Sequence, residues 1–190
     1  MKNFVIAGLP RSGTAWCAAL LSTIPGVHCW HEASQHGDHF FDYRDAMAVS
    51  GPEIKDGDYE FIGDSTTDTR PEIAIEGAHV WIFRPLEQSK AEYFLKMGGS
   101  GRAAWDQIEQ NAEDWMKRNN PEVIRFHRLF SEDDQDAFKE AERLVKACTG
   151  KPLAFERWLM LKKLQVQIYN LHPEYYSGKR ILTIRKEEAT

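Results

Sequence analysis

The chain has 190 residues, of which 42% are hydrophobic and 28% charged, a balance typical of one globular domain with its own core. The net charge of −5 argues against a general nucleic-acid-binding protein, because such proteins are usually basic. Three cysteines without framework spacing indicate free thiols in a reducing compartment. The sequence has no signal-peptide pattern and no apolar run near the roughly 20 residues of a membrane span, so we expect a cytoplasmic protein without a membrane partner.

Short apolar runs alternate with helical stretches along the chain. Strands are predicted at residues 4–7, 27–30, 60–63, 79–83 and 180–184. Helices are predicted at 15–22, 43–49, 85–97 and over much of 102–171. This alternation predicts an α/β, three-layer fold with a mainly parallel central sheet flanked by helices. We expect one domain over residues 1–190, with room for a helical insertion at about 102–150.

Polar and small residues follow three of the predicted strands, which end at Gly8, Asp64 and Arg84. In open parallel sheets, ligands bind beyond the carboxyl ends of the strands. We therefore expect the functional residues to lie along this one edge.

The segment from Gly8 to Thr14 joins the first strand to the first helix. Small residues let the backbone curl around an anion, and successive N–H groups at the helix start supply positive charge. Arg11 adds a permanent cation with a forked set of donors, and Thr14 adds a hydroxyl. The triphosphate-binding form of this loop has a lysine after its second glycine, and no lysine follows Gly13, which disfavours ATP or GTP as the ligand.

The sequence PRSGTAW of this segment resembles the 5′-phosphosulfate loop of the sulfotransferases. Its arginine form is similar to that of protein-tyrosine sulfotransferases and of many bacterial and phage relatives. The resemblance covers residues 3–32 and 78–97, with a weaker match at 180–188. It implies a P-loop-type fold, 3′-phosphoadenosine-5′-phosphosulfate as donor, and transfer that requires no metal. It also implies that the donor is bound by Pro10, Arg11, Ser12, Gly13, Thr14, Ala15 and Trp16.

Sulfuryl transfer requires a base for the acceptor and stabilisation of charge on the transferring group. Arg11 is predicted to supply the stabilisation. Glu32, just after the second strand, is predicted to be the general base, because a glutamate lies at this distance from the loop in the tyrosine-sulfotransferase-like pattern. His31 is the competing candidate; cytosolic sulfotransferases use a histidine base, but from another part of the chain.

Arg84 closes the fourth predicted strand. In the family, an arginine here and a serine eight residues later bind the 3′-phosphate of the donor. The arginine matches, but position 92 is Glu92, whose charge is expected to repel a phosphate. Ser89 lies one helical turn earlier on the same face and is predicted to take the place of the serine.

Two further family features depart from the expected pattern. The lysine expected near Asp64 is absent, so Ser65 or Thr66 is predicted to donate a hydrogen bond to the leaving group. In the family, a Gly-rich lid follows the last strand, and no such segment follows it in this sequence. Either Gly98–Gly101 serves as the lid, or the lid is missing.

These observations predict transfer of a sulfuryl group to a hydroxyl or amine of a small-molecule, sugar or peptide acceptor, with acceptor identity and oligomeric state left open. One alternative is a small nucleotide kinase in which Asp64 holds Mg²⁺. The other is a non-catalytic nucleotide-binding module. No metal site is predicted, because the spacing of His31, His36 and His39 fits no metal motif. Trp30, Phe40, Phe41 and Tyr43 are candidates for an acceptor pocket, with core packing as the alternative.

Overall fold

The computed structural model describes residues 2–32, 59–70, 76–97, 100–162, 164–168 and 182–186. The strands in these ranges are β1 Lys2–Gly8, β2 Val27–His31, β3 Phe61–Thr66, β4 Ala78–Phe83, β5 Glu122–Arg125, β6 Leu164–Ile168 and β7 Leu182–Lys186. The helices are α1 Thr14–Ser22, α2 Leu86–Met97, α3 Ser100–Asn119, α4 Phe126–Leu129, α5 Asp134–Thr149 and α6 Phe155–Lys162. None of the helices in these ranges is both long and apolar enough to cross a bilayer.

A five-stranded, all-parallel sheet in the order β2-β3-β1-β4-β5 forms the centre of the fold. The middle strand, β1, is apolar on both faces: Phe4 and Ile6 pack into one hydrophobic cluster, and Val5 and Ala7 into a second. A parallel strand buried on both faces reads as a continuous apolar run, as the sequence does here. The predicted α/β fold, with a parallel sheet flanked by helices, is confirmed.

Helices cover both faces of the sheet. The first cluster contains side chains from α1, α5 and α6, among which Leu20, Leu144 and Trp158 are fully buried. The second draws on α3, through Ala112 and Trp115. Burying each large side chain contributes about 1.5–3 kcal/mol, so both helical layers hold the sheet in place.

The connections place a crevice at the carboxyl ends of β1 and β4. These neighbouring strands pair with Gly8 opposite Ile82. The chain leaves β1 toward α1 on one face, and leaves β4 toward α2 and α3 on the other, where Leu86 packs on the second cluster. Such a switch point is where open α/β sheets bind ligands, and the loop after Gly8 opens onto it.

Three predicted elements differ in the structure. The expectation of helix over much of 102–171 is wrong at 122–125 and 164–168, where β5 and β6 form. The third strand continues to Thr66, so residues 64–66 belong to the sheet and do not follow it. The last strand, β7, lies at 182–186 and pairs antiparallel with β6 in a separate two-stranded sheet. The helix predicted at 43–49 lies outside the described residues.

Candidate functional site

The loop between β1 and α1 is a tight turn with little room for larger side chains. The backbone N–H and the hydroxyl of Ser12 both donate to the Leu9 carbonyl, at 3.1 and 2.5 Å. A Cβ at Gly8 would lie 2.4 Å from the Ser12 hydroxyl oxygen. Gly13 has a φ of 81°, and a Cβ there would lie 2.7 Å from the Phe130 ring. Both glycines are therefore required by the turn itself.

Helix α1 begins at Thr14 with Gly13 at its N-cap, and no side chain of the described residues caps it. The first bond back into the loop is from the Cys17 N–H to the Gly13 carbonyl, at 3.1 Å. The preceding N–H groups of a first helical turn have no partner within the helix. They are donors available to an anion at the end of the loop.

Two arginines meet at this loop. Arg84 follows β4, donates from Nη1 to the Arg11 carbonyl oxygen, and donates from Nη2 to the Glu92 carboxylate. The Arg11 Nε lies 3.6 Å from the other Glu92 oxygen. The hydrogen bond from Arg84 holds the pKa of Glu92 below its usual range, with the charge of Arg11 adding to the effect. The structure thus joins the loop cation to the predicted second cation through one carboxylate.

Two buried polar atoms beside this junction have no hydrogen-bond partner within the described part of the chain. They are the Nε of Arg84 and the hydroxyl oxygen of Ser89. Ser89 is fully buried and belongs to the first turn of α2. An unsatisfied buried donor costs about 1–3 kcal/mol, so these two atoms indicate a place where a ligand could supply the missing acceptor.

Aromatic rings form a wall next to the loop. The Arg84 guanidinium lies 4.3 Å from the centre of the Phe126 ring, and Phe126 packs on Phe130 with ring centres 4.8 Å apart. Phe130 meets Trp16 edge to face at 5.2 Å. Stacking of this kind fixes the guanidinium in place. Sequence reasoning missed both phenylalanines, because they follow the strand β5 that it read as helix.

Glu32 is held by a set of donors from the end of β3. Its carboxylate accepts from the Thr66 hydroxyl at 3.0 Å, from the Thr67 N–H at 3.1 and 3.2 Å, and from the Thr67 hydroxyl at 3.1 Å. Its own N–H donates to the Ser65 carbonyl at 3.1 Å. The side chain is only 14% exposed. These contacts fix Glu32 in one position beside the sheet edge.

Burial gives Glu32 and His31 opposite pKa shifts. Burial, reinforced by the charge of Asp64, raises the pKa of Glu32 to about 8, although its hydrogen bonds oppose the shift. Burial lowers the pKa of His31 to about 4, so this imidazole is neutral at physiological pH. Its Nε2 lies 3.3 Å from the Thr14 hydroxyl and 3.5 Å from the Glu32 carboxylate. His31 therefore connects the Glu32 carboxyl to Thr14, at the end of the loop between β1 and α1.

Arg11 and Glu32 share an uncommon backbone conformation. Among the described residues that are not glycine, φ is positive at Arg11 (71°), Glu32 (61°) and Asn120 (42°). Asn120 follows the last residue of α3, where asparagine commonly adopts this conformation. The other two have no such role, and left-handed residues of this kind cluster at functional sites.

Most of the residues predicted from the sequence lie around the crevice. Pro10 and Gly13 are half-buried within the loop; at the start of α1, Thr14 is buried and Ala15 half-buried. Trp16 is only 9% exposed and belongs chiefly to the core. Among the described elements, the structure brings the loop, Arg84, Ser89, His31 and Glu32 to the same sheet edge.

Other predicted residues have different surroundings from those expected. The hydroxyl of Ser65 donates to the Thr14 carbonyl at 2.8 Å, and that of Thr66 donates to Glu32, so neither hydroxyl is left to serve a leaving group. Asp64 is fully buried inside β3. His36, His39, Phe40, Phe41 and Tyr43 lie outside the described residues, as do Gly98 and Gly99 of the proposed lid; Ser100 and Gly101 begin α3.

Within the described ranges, no group of three or more histidine, cysteine, aspartate or glutamate side chains is arranged to hold a metal ion. No protein-family model matches the sequence, and a search of curated proteins gives no match. The geometry of the site and the resemblance of its loop are therefore the features that point to a function.

Proposed function

We propose that the protein is a sulfotransferase of P-loop type, which moves a sulfuryl group from 3′-phosphoadenosine-5′-phosphosulfate to a hydroxyl or amine. The observation that carries the proposal is the pair of unsatisfied buried donors, Arg84 Nε and Ser89 Oγ. The resemblance assigns Arg84 to the 3′-phosphate, and Ser89 is the residue predicted to replace the serine that the family has where this chain has Glu92. An anion there would supply the acceptors that both atoms lack.

The donor fits the rest of the crevice in charge and in hydrogen bonding. The N–H groups at the start of α1, the Thr14 hydroxyl and the exposed Arg11 side chain would hold the 5′-phosphosulfate end. Arg11 would stabilise the charge that develops on the oxygen bridging sulfur and phosphorus as that bond breaks. The cation inside the loop, together with the absence of a lysine after Gly13, supports a phosphosulfate over a nucleoside triphosphate.

Glu32 is the better of the two candidate bases. In the proposed step the acceptor oxygen attacks sulfur, the bond from sulfur to the bridging oxygen breaks, and the acceptor proton passes to the base. With a pKa of about 8, Glu32 is ionised in a growing fraction of molecules as the pH rises toward 8, and the ionised form binds the acceptor proton more firmly than a histidine with a pKa of about 4 would. We therefore expect turnover to rise with pH through this range. We assign His31 the role of a neutral link that orients Glu32 and Thr14.

Calorimetric titration tests the donor class. We expect 3′-phosphoadenosine-5′-phosphate, the stable product, to bind with micromolar affinity in the absence of metal. The Arg11→Ala variant should weaken this binding and abolish transfer, while Lys117→Ala, which removes one exposed positive charge from α3, should not. Binding of ATP with Mg²⁺ and not of the bisphosphate would overturn the proposal in favour of a kinase that uses Asp64.

Radiolabelled sulfuryl transfer to a panel of alcohols, phenols, sugars, amines and tyrosine peptides tests the base. Glu32→Gln should retain bisphosphate affinity and lose roughly 10²–10⁴-fold in turnover. Normal turnover by this variant would show that the base is another residue. Tight bisphosphate binding without transfer to any acceptor would instead support the non-catalytic nucleotide-binding module.

A further inference from the structure

Glu92 holds the position between the two cations of the anion site. One carboxylate oxygen accepts from Arg84 Nη2, and the other lies 3.6 Å from Arg11 Nε. A carboxylate shared by two guanidinium groups reproduces the contacts that such groups make with a phosphate or sulfate. The sequence alone suggested that Glu92 repels an anion at this place; in the structure it occupies the place of one.

We propose that Glu92 is an internal competitor for the anionic ligand, which must displace its carboxylate from Arg11 and Arg84 in order to bind. The inference rests on the proposed function only in taking this crevice to be an anion site. It adds that the chain itself sets the affinity and the charge preference of that site.

The contacts indicate which partner moves. Arg84 is only 10% exposed and is fixed by its bond to the Arg11 carbonyl and by the Phe126 ring. The side chains of Glu92 and Arg11 are 42% and 46% exposed. Glu92 can therefore rotate into solvent, where water replaces the arginines, while Arg84 stays in place to receive the anion.

The competition also accounts for the unsatisfied Nε of Arg84. With its Nη1 and Nη2 committed to Arg11 and Glu92, Arg84 leaves its Nε without an acceptor among the described residues. A carboxylate offers two oxygens, whereas a phosphate or sulfate group offers at least three. Once a ligand has displaced Glu92, Arg84 would gain acceptors that the carboxylate cannot provide. This gain favours binding of a polyanion over the internal carboxylate.

The test compares inorganic pyrophosphate affinity in three proteins: the wild type, Glu92→Gln, and Glu87→Gln as the matched control. Glu87 is an exposed glutamate in the first turn of the same helix, so its variant removes the same charge from α2. Two partly exposed ion pairs hold Glu92, and each pair of this kind changes an equilibrium constant by only a few-fold. We expect Glu92→Gln to bind pyrophosphate roughly tenfold more tightly and Glu87→Gln to stay within about twofold of wild type.

Equal affinities for Glu92→Gln and Glu87→Gln would overturn the proposal, as would a failure of all three proteins to bind pyrophosphate. Glu92→Ser is the second variant, and thermal melting establishes that each protein is folded; the serine variant must change affinity in the same direction as glutamine. Titration with 3′-phosphoadenosine-5′-phosphate separates the two proposals. If Glu92→Gln tightens pyrophosphate binding but no protein binds the bisphosphate, displacement of Glu92 stands and the proposed donor is wrong.

Discussion

Replacement of Glu32 by glutamine tests whether this carboxyl keeps its proton at neutral pH. Burial and the charge of Asp64 raise the pKa of Glu32 from 4.5 to about 8. When a carboxyl has a higher pKa in the folded state, the folded protein binds the extra proton between the two values, so the free energy of unfolding falls as the pH rises through that window. Within that window the free energy of unfolding falls by about 1.4 kcal/mol per pH unit. Over the whole window the fall is roughly 4–5 kcal/mol.

Urea denaturation at pH 5 and pH 9 measures this loss. Glutamine has the shape of a protonated glutamate, keeps an acceptor for the Thr67 N–H, and never ionises. We expect Glu32→Gln to match the wild type at pH 5 and to exceed its free energy of unfolding by up to roughly 4 kcal/mol at pH 9. The exposed Glu87→Gln change serves as the control and should shift stability by less than about 0.5 kcal/mol at either pH.

A stability difference that does not change with pH would contradict this expectation. If Glu32→Gln differs from the wild type by the same amount at pH 5 and pH 9, the carboxyl is ionised across the range. Its hydrogen bonds to Thr66 and Thr67 would then outweigh burial, and Glu32 would lack the proton affinity assigned to the base.

Two matched pairs of variants test the local geometry by chemical denaturation. Gly13→Ala must adopt a positive φ and press on the Phe130 ring. Gly150→Ala, at the end of α5, also has a positive φ of 70°, but no atom of the described residues lies within 4 Å of the added Cβ. We expect the free energy of unfolding to fall by roughly 2–4 kcal/mol for the first variant and by about 1 kcal/mol for the second; equal losses would show that the ring moves aside. Ser89→Ala removes a buried hydroxyl with no partner among the described residues, so it should leave stability unchanged or raise it by up to about 1 kcal/mol while weakening bisphosphate binding. Ser65→Ala removes a buried hydroxyl that donates to the Thr14 carbonyl, so it should lower the free energy of unfolding by about 1–3 kcal/mol. A similar loss for Ser89→Ala would mean that the Ser89 hydroxyl already has a hydrogen-bond partner.

The centre of the fold could be predicted because its determinants are local. A continuous apolar run, a glycine-bounded turn and an alanine- and leucine-rich stretch follow each other within residues 4–22, and each pattern has one favoured structure. The position of the loop cation, Arg11, could be predicted from the same segment. That the functional candidates would lie together at the carboxyl edge of the sheet could be predicted once the strands were taken to be parallel.

The elements that sequence reasoning missed depend on distant partners. Strand β5 has four residues and only Ile124 is buried, so nothing in its pattern separates it from the helices on either side. The end of β3 reads as a polar turn, yet Ser65 and Thr66 are buried because their hydroxyls bond to Thr14 and Glu32. The role of Glu92 also required the structure, because the side chain lies close to Arg11 only when β4 is placed beside β1.

The same contacts that build the site also offset its backbone strain. A residue other than glycine in the left-handed region costs of order 1–3 kcal/mol, and both Arg11 and Glu32 adopt it. Glu32 is held there by its N–H bond to the sheet and by Thr66 and Thr67 at the end of β3. Arg11 is held by the bond from Arg84 to its carbonyl oxygen. Because that bond joins the two cations, a ligand that binds Arg84 would also stabilise the strained turn, and the loop and the second arginine would act together as the anion site that we propose.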